Sequence, residues 1–363
     1  MHPDKSRALS ASRRRALGAL AAALLMASVA FVVGGSQVGA VVTPGAAYAN
    51  FATPTGANPS WTTGLTMPGA AGFPAASIAT NSLSPSVPSG ASTWLSTGTP
   101  FGTQFASSQN QGYLNFSPTT GQAMSTTTIT FASPTPITGW GFALGDVDAE
   151  SIGVSATDES GAPVSAANLG FQSAFNLCDI PSPKPSTCSG VVTFDTPTWV
   201  PGSNTGVLQG NVNDTTGASA WFMPTVRLGT LTLTSTNLSG FPTASLWIAS
   251  NLRTISGNIS IDPVVAPTTT TTIAPAPAPV PVPDALVSVL DSTNTVVATT
   301  TTDANGDFSF PTLAPGIYTL VEEPPAGTLP PANFPLTVDV TYGNVTGIIV
   351  VNTPAELSPK FTG

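Results

Sequence analysis

Charge is what this sequence lacks most. Asp, Glu, Lys and Arg make up 7% of its 363 residues, against about a quarter in ordinary globular chains. Histidine occurs once, at position 2, and cysteine twice. With no histidine beyond His2, a Ser-His-Asp triad and a His-ligated zinc site are excluded from the rest of the chain. No Gly-rich loop followed by Lys is present to cradle nucleotide phosphates, so no nucleotide partner is expected. Leu, Glu and Lys are too few for a helical protein. Gly (34) and Pro (36) are abundant instead, with Thr, Ser, Ala and Val filling most of the remainder. That mixture suits short strands joined by many turns.

The N-terminal segment reads as an export signal. Arg13, Arg14 and Arg15 precede an apolar run that ends in Ala47-Tyr48-Ala49, an A-x-A pattern. This predicts a signal peptide over residues 1–49, cut between Ala49 and Asn50. The string Ser12-Arg13-Arg14-Arg15-Ala16-Leu17 also resembles a twin-arginine signal, although Ala16 stands where that family prefers Phe. Both routes, and an uncleaved anchor, stay open. Either export route leads to an extracellular or cell-surface location. Beyond residue 49 the basic residues are Lys184, Arg227, Arg253 and Lys360, against seventeen acids, a net charge of −13. Four scattered cations cannot neutralise a phosphate backbone, so nucleic acid is excluded as a partner. In an oxidising compartment Cys178 and Cys188 are expected to form a local disulfide. Closing so short a loop contributes about 2.5–3 kcal/mol on chain-entropy grounds.

Composition divides the rest. Residues 266–283, rich in Thr and then in alternating Ala-Pro and Val-Pro, read as a semi-rigid extended linker. It separates a larger domain, 50–265, from a small one, 284–354, followed by a tail, 355–363. Whether residues 255–262 belong to the first domain or the second is open. In the larger domain Ile129 and Phe131 alternate with small polar residues, as do Trp140, Phe142 and Leu144, then Ile152, Val154 and Ala156. The stretches Gly190–Pro197, Val226–Thr236 and Ala244–Asn251 repeat the pattern. Many short period-2 strands predict an all-β fold, an antiparallel jelly-roll-like β-sandwich.

Two groups of oxygen-bearing residues are candidate metal ligands. Asp146, Asp148 and Glu150 lie at i, i+2 and i+4, which on a strand places three carboxylates on one face. They suit Ca²⁺ or, alternatively, form a solvated strand end. Asp303, Asn305 and Asp307 imitate the start of a calcium loop, but Ala314 stands where the bidentate Glu is required. The alternative is a hairpin turn whose polar groups satisfy their own backbone. No other cofactor is expected. Trp140 and Trp247 read as core. Trp221, near Asn213, is the candidate for an exposed ligand-binding aromatic.

The small domain reads as about seven strands, with Asn305-Gly306 as a tight hairpin turn. The run T-D-x-N-G-x-F-x-F-x-x-L-x-x-G-x-Y-x-L-x-E, carried by Asp303, Asn305, Gly306, Phe308, Phe310, Leu313, Gly316, Tyr318 and Glu322, resembles prealbumin-like B-type modules of Gram-positive surface proteins. These include the B repeats of serine-aspartate-repeat adhesins, collagen-adhesin B domains and SpaA-type pilins. The resemblance covers residues 284–352. It implies a small prealbumin-like sandwich used as a stalk or spacer. Many such modules carry an internal Lys-Asn isopeptide bond assisted by a buried acid. Glu322 matches that acid and Asn352 the acceptor, but the lysine expected on the first strand is missing. The larger domain loosely resembles uncharacterised sandwich modules of bacterial exported proteins, on the strings GWGFALGDVDAE and GASAWFMPTV.

The expectation is a non-catalytic, exported structural or adhesion protein that displays a sandwich to an unidentified extracellular ligand or cell-envelope component. A carbohydrate-binding module is the alternative. No sortase motif is read after Pro354.

Overall fold

A computed structural model describes residues 45–118, 124–263 and 278–355. The chain is all-β. Its strands run in the order β1 (Ala46–Tyr48), β2 (Asn50–Phe51), β3 (Thr55–Ala57), β4 (Ser60–Thr66), β5 (Ala76–Thr80), β6 (Leu114–Phe116), β7 (Ser125–Phe131) and β8 (Trp140–Gly145). There follow β9 (Glu150–Asp158), β10 (Phe171–Asn176), β11 (Thr198–Pro201), β12 (Thr205–Gln209), β13 (Ala218–Phe222), β14 (Leu228–Asn237), β15 (Ala244–Asn251) and β16 (Arg253–Ile261). The last eight are β17 (Val280–Pro281), β18 (Leu286–Leu290), β19 (Val296–Thr301), β20 (Asp307–Leu313), β21 (Ile317–Glu322), β22 (Thr328–Leu329), β23 (Leu336–Asp339) and β24 (Val345–Pro354). A short helix, α1 (Pro100–Phe105), lies between β5 and β6. Pro100 opens it, and the Thr99 hydroxyl caps it by accepting from Gly102 N, as missing helical N–H partners require.

The larger sandwich packs a nine-stranded sheet, β11-β12-β9-β14-β7-β5-β4-β2 with β3 on β4, against a six-stranded sheet, β1-β15-β8-β13-β10 with β6 on β15. In β7 and β9 the alternation holds, with Ile129, Ile152 and Val154 turned inward and their neighbours half-buried or exposed. In β8, β13 and β15 nearly every residue is buried. The cause is a second core on the outer face of the six-stranded sheet. There Phe101 and Phe105 of α1 pack with Tyr48, Trp221, Trp247 and the Cys178–Cys188 disulfide. The disulfide spans 5.2 Å between Cα atoms and closes the loop over that face.

Four sequence expectations change. Ala46–Tyr48 pairs with Ala249–Asn251 and is buried, so the fold begins before the expected cut at Ala49. The Gly190–Pro197 stretch is not a strand; Val192 is 86% exposed there. Trp221 is core rather than an exposed platform, because α1 covers the face it was expected to show to solvent.

The fourth change concerns the domain boundary. β16 does not belong to the larger sandwich: it pairs antiparallel with β20 and β17 and parallel with β24. The small module therefore starts at Arg253, not at residue 284. The Thr/Pro-rich segment is an insertion within the module, not a spacer between domains. Its flanks meet in one sheet, with Ile261 opposite Val280. The module's two sheets, β17-β16-β24-β22 with β20 on β16 and β19-β18-β21-β23, enclose Ile255, Ile259, Val287, Val289, Phe308, Phe310 and Leu320.

One residue, Leu252, separates β15 from β16. A second tie crosses the same joint: Ala71 N donates to Thr312 O at 2.8 Å, and Ala314 N donates to Ala71 O at 2.7 Å. Tyr318 is buried there and donates its hydroxyl to Ala314 O.

Candidate functional site

The β8–β9 connection carries the three carboxylates singled out in the sequence. It is a tight loop, not a strand. Asp146 adopts a positive φ of 63° just after β8, Asp148 is buried, and Glu150 opens β9 with no exposed surface. Two acids distant in sequence join them. Asp195 comes from the loop after the disulfide, and Asp214 from the β12–β13 connection. Sequence spacing could not have found either.

Backbone and hydroxyl donors hold part of this group. Gly217 N donates to Asp146 Oδ1 at 3.2 Å, and Ala149 N donates to Asp148 Oδ1. Thr215 Oγ1 lies 2.7 Å from Asp195 Oδ1 and 3.1 Å from Asp148 Oδ2. Asn176 ties the two loops by donating to Asp195 O at 3.0 Å and Thr216 O at 3.1 Å. Gly210 packs against the Asp148 and Glu150 carbonyls, where a Cβ would collide. Glu150 differs from the rest: no other residue hydrogen-bonds its carboxyl oxygens, and only its own backbone N–H opposes the rise in its pKa.

Burial and like charge act together on these groups. Burial, then Asp148, Asp146 and Asp214, pushes the Glu150 carboxyl up to about 9. Burial raises Asp146 to about 6, with Asp148, Asp214 and Asp195 adding to it and the Gly217 N–H opposing it. Asp148 is also raised, chiefly by burial.

Asp146 also lines a polar cavity of about 340 Å³, beside Thr93, Tyr113, Asn115, Thr216, Ser245 and Trp247. Tyr113 and Trp247 stack there at 4.6 Å. The expected pair of Trp221 and Asn213 does not assemble. Trp221 Nε1 donates to Ser173 Oγ and its ring meets Phe101 edge-on, while Asn213 lies exposed on the β12–β13 loop.

In the small module, Asp303 Oδ1 accepts from Asn305 N at 2.8 Å and Asp307 N at 2.9 Å, and Asn258 donates to Asp307 Oδ1. Gly306, at φ 78°, closes the turn. These polar groups serve the hairpin. Glu322 and Asn352 are brought together by β21 and β24: Asn352 Nδ2 donates to Glu322 Oε2 at 3.3 Å. On the neighbouring β16, Ile261 stands opposite Asn352 and Ile259 opposite Val350, with no amine on that strand segment. Lys360 lies outside the described residues.

Residues 273–342 match the family described as carboxypeptidase regulatory-like domain. The match covers β17 to β23 and leaves out β16 and β24. No curated protein matches the chain. Among solved structures, the chain is similar to a variant of BcpA, the major pilin subunit of Bacillus cereus, at 12% identity over 65% of this chain and 66% of that one, TM-score 0.21. It is similar to the group B streptococcus pilus 2b backbone protein at 13% identity over 66% and 98%, TM-score 0.21. A third is the full-length major pilin SpaD from Corynebacterium diphtheriae, at 11% identity over 65% and 62%, TM-score 0.20. The chain thus spans 66% of the BcpA variant's length and 62% of SpaD's.

Proposed function

We propose that this chain is an exported, non-catalytic structural protein of a cell surface, in which the larger sandwich is displayed on the small module. The observation that carries this reading is the joint at Leu252. The last strand of the sandwich runs within one residue into the strand that pairs with three others in the module. The Ala71 hydrogen bonds hold the same junction from another side. Such a joint has no free linker to act as a hinge, so one domain positions the other. The disulfide, the export-type N-terminal pattern and the B-type motif around Asp303–Glu322 support a surface location.

Protease applied to intact producing cells should remove the chain while a cytoplasmic marker survives. Full protection of the chain would overturn the surface reading. Turnover of a glycan, peptide or ester that disappears on Asp148→Asn would overturn the non-catalytic one.

A second reading, carbohydrate binding, is favoured by the cavity walled by the Tyr113–Trp247 stack and by hydroxyl and amide side chains. Flat aromatics beside hydrogen-bonding groups suit a sugar ring. A glycan array with the Asn115→Ala variant as control distinguishes the two readings.

A further inference from the structure

The cavity beside Tyr113 and Trp247 carries one carboxylate, Asp146, and no Lys or Arg side chain lines it among the described residues. The backbone fixes that carboxylate in place. Asp146 sits in the left-handed region at φ 63°, and Gly217, itself at φ 96°, donates its N–H to Asp146 Oδ1 across 3.2 Å. A Cβ on Gly217 would stand 2.7 Å from Asn176 Oδ1, so this approach of the two loops requires glycine. Asp146 Oδ2 has no hydrogen-bond partner among the described residues.

The rest of the wall holds neutral polar groups with capacity to spare. Ser245 Oγ donates to Asn115 Oδ1 at 2.9 Å, which sets the amide's orientation and leaves its NH₂ free to donate. The side-chain hydroxyls of Thr187 and Thr216 have no partner among the described residues. Trp247 lines the cavity as well, and its buried indole N–H is unpartnered. Leu177 and Thr187 are the chain neighbours of Cys178 and Cys188, so the disulfide holds their part of the wall.

This arrangement selects a ligand chemistry. A simple alkylammonium, such as a lysine side chain, would set methylene groups against the amide and the hydroxyls and leave them without partners. A sugar ring offers a hydroxyl to each. A neutral sugar, however, would bring only hydroxyls to the carboxylate, whereas an ammonium makes a charge-assisted hydrogen bond, roughly twice as strong. Burial, with Asp148, Asp214 and Asp195 adding to it, holds Asp146 at about 6. It is therefore ionised at neutral pH, in surroundings that favour the arrival of a positive group. A volume of about 340 Å³ has room for a single sugar residue and lies near the lower end of the range of about 300–1,000 Å³ usual for small-ligand sites.

We propose that this cavity binds an amino sugar, with its ammonium on Asp146 and its hydroxyls on Asn115, Thr187 and Thr216. The inference rests on the carbohydrate reading of the same cavity and narrows it from sugars at large to those with a free amine.

The full chain is titrated at neutral pH with glucosamine and galactosamine, each beside its N-acetyl form and its parent hexose. Members of each set share a ring and differ only at C2. Calorimetry measures the affinities, and tryptophan fluorescence reports binding next to Trp247. One of the two amines should bind about tenfold or more tightly than both of its neutral counterparts. Butylamine, an ammonium without hydroxyls, should bind about tenfold or more weakly than that amine. Asp146→Asn removes the charge but keeps an acceptor for Gly217 N and a residue type that tolerates the left-handed region. It should melt as the parent does and bind the amine no more tightly than the neutral sugars. Asn115→Ala should weaken charged and neutral sugars alike. Neutral sugars that bind as tightly as the amines would leave the carbohydrate reading standing and overturn this inference. Absence of binding by every sugar would overturn both. Butylamine binding as tightly as the amino sugar, or an undiminished preference for the amine in Asp146→Asn, would also overturn the inference.

Discussion

Asn352 donates its side-chain amide to Glu322 across 3.3 Å inside the small module, while Asn352 Oδ1 and Glu322 Oε1 have no partner. The acceptor and the assisting acid of an isopeptide bond are thus in contact, and the amine is missing from the strand alongside. An intact-mass measurement of the exported chain should show no loss of ammonia beyond the two hydrogens lost in the disulfide. A loss of one ammonia, mapped to a Lys360–Asn352 peptide, would contradict this.

The same pair sets a pH dependence. Burial raises the Glu322 carboxyl above its usual value of 4.5, and the Asn352 hydrogen bond only partly offsets this. The folded state then holds the proton more tightly than the unfolded one. The stability this group contributes is complete below pH 4.5 and declines as pH rises through the folded-state pKa. Glu322→Gln should remove that decline, because a neutral amide can also donate to Asn352 Oδ1. Thermal melts of parent and variant should therefore draw apart in the variant's favour as pH rises from acid to neutral. A constant difference would show that Glu322 does not titrate in this way.

Trp221→Ala should destabilise the fold by about 3–5 kcal/mol, as deletion of a large buried aromatic does. Its ring fills the space between β13 and the two phenylalanines of α1. Denaturant unfolding measures the loss; a change under about 1 kcal/mol would place the ring at the surface instead.

A chain that starts at Asn50 should be markedly less stable than one that starts before Ala46. The shorter chain loses β1, the burial of Tyr48, and the hydrogen bond from its hydroxyl to Ala106 O at 2.8 Å. Tyr48→Ala in the longer chain should reproduce much of that loss, about 3–5 kcal/mol. Equal melting temperatures for the two starts would return Ala46–Ala49 to the export signal.

Much of the fold was legible wherever one face of a strand meets water. β7, β9 and β14 alternate because their inner residues pack on one core and their outer ones do not. Alternation also found β8 and β15, but it did not show that both of their faces are covered; β13, buried on both faces, was not read as a strand, and Trp221 was misplaced for that reason. The strands β2 to β5 were not read, because Gly, Pro and Ser obscure the pattern between residues 50 and 80. β16 was left unassigned because the composition shift that follows it looks like a domain boundary. Its partners β20 and β24 lie far along the chain, where no local pattern reaches. At the acidic site, the i, i+2, i+4 spacing revealed Asp146, Asp148 and Glu150. Asp195 and Asp214 arrive there only through the folding of two other loops.

The register that places Ile261 opposite Val280 makes the Thr/Pro-rich segment a permissive site. Its two ends are already fixed on adjacent strands, so adding or removing residues between them should leave both sandwiches in place. Length variation between Ile261 and Val280 should leave the pairing of β16 with β17 in place. In a spacer between domains, the same change would have shifted one sandwich against the other.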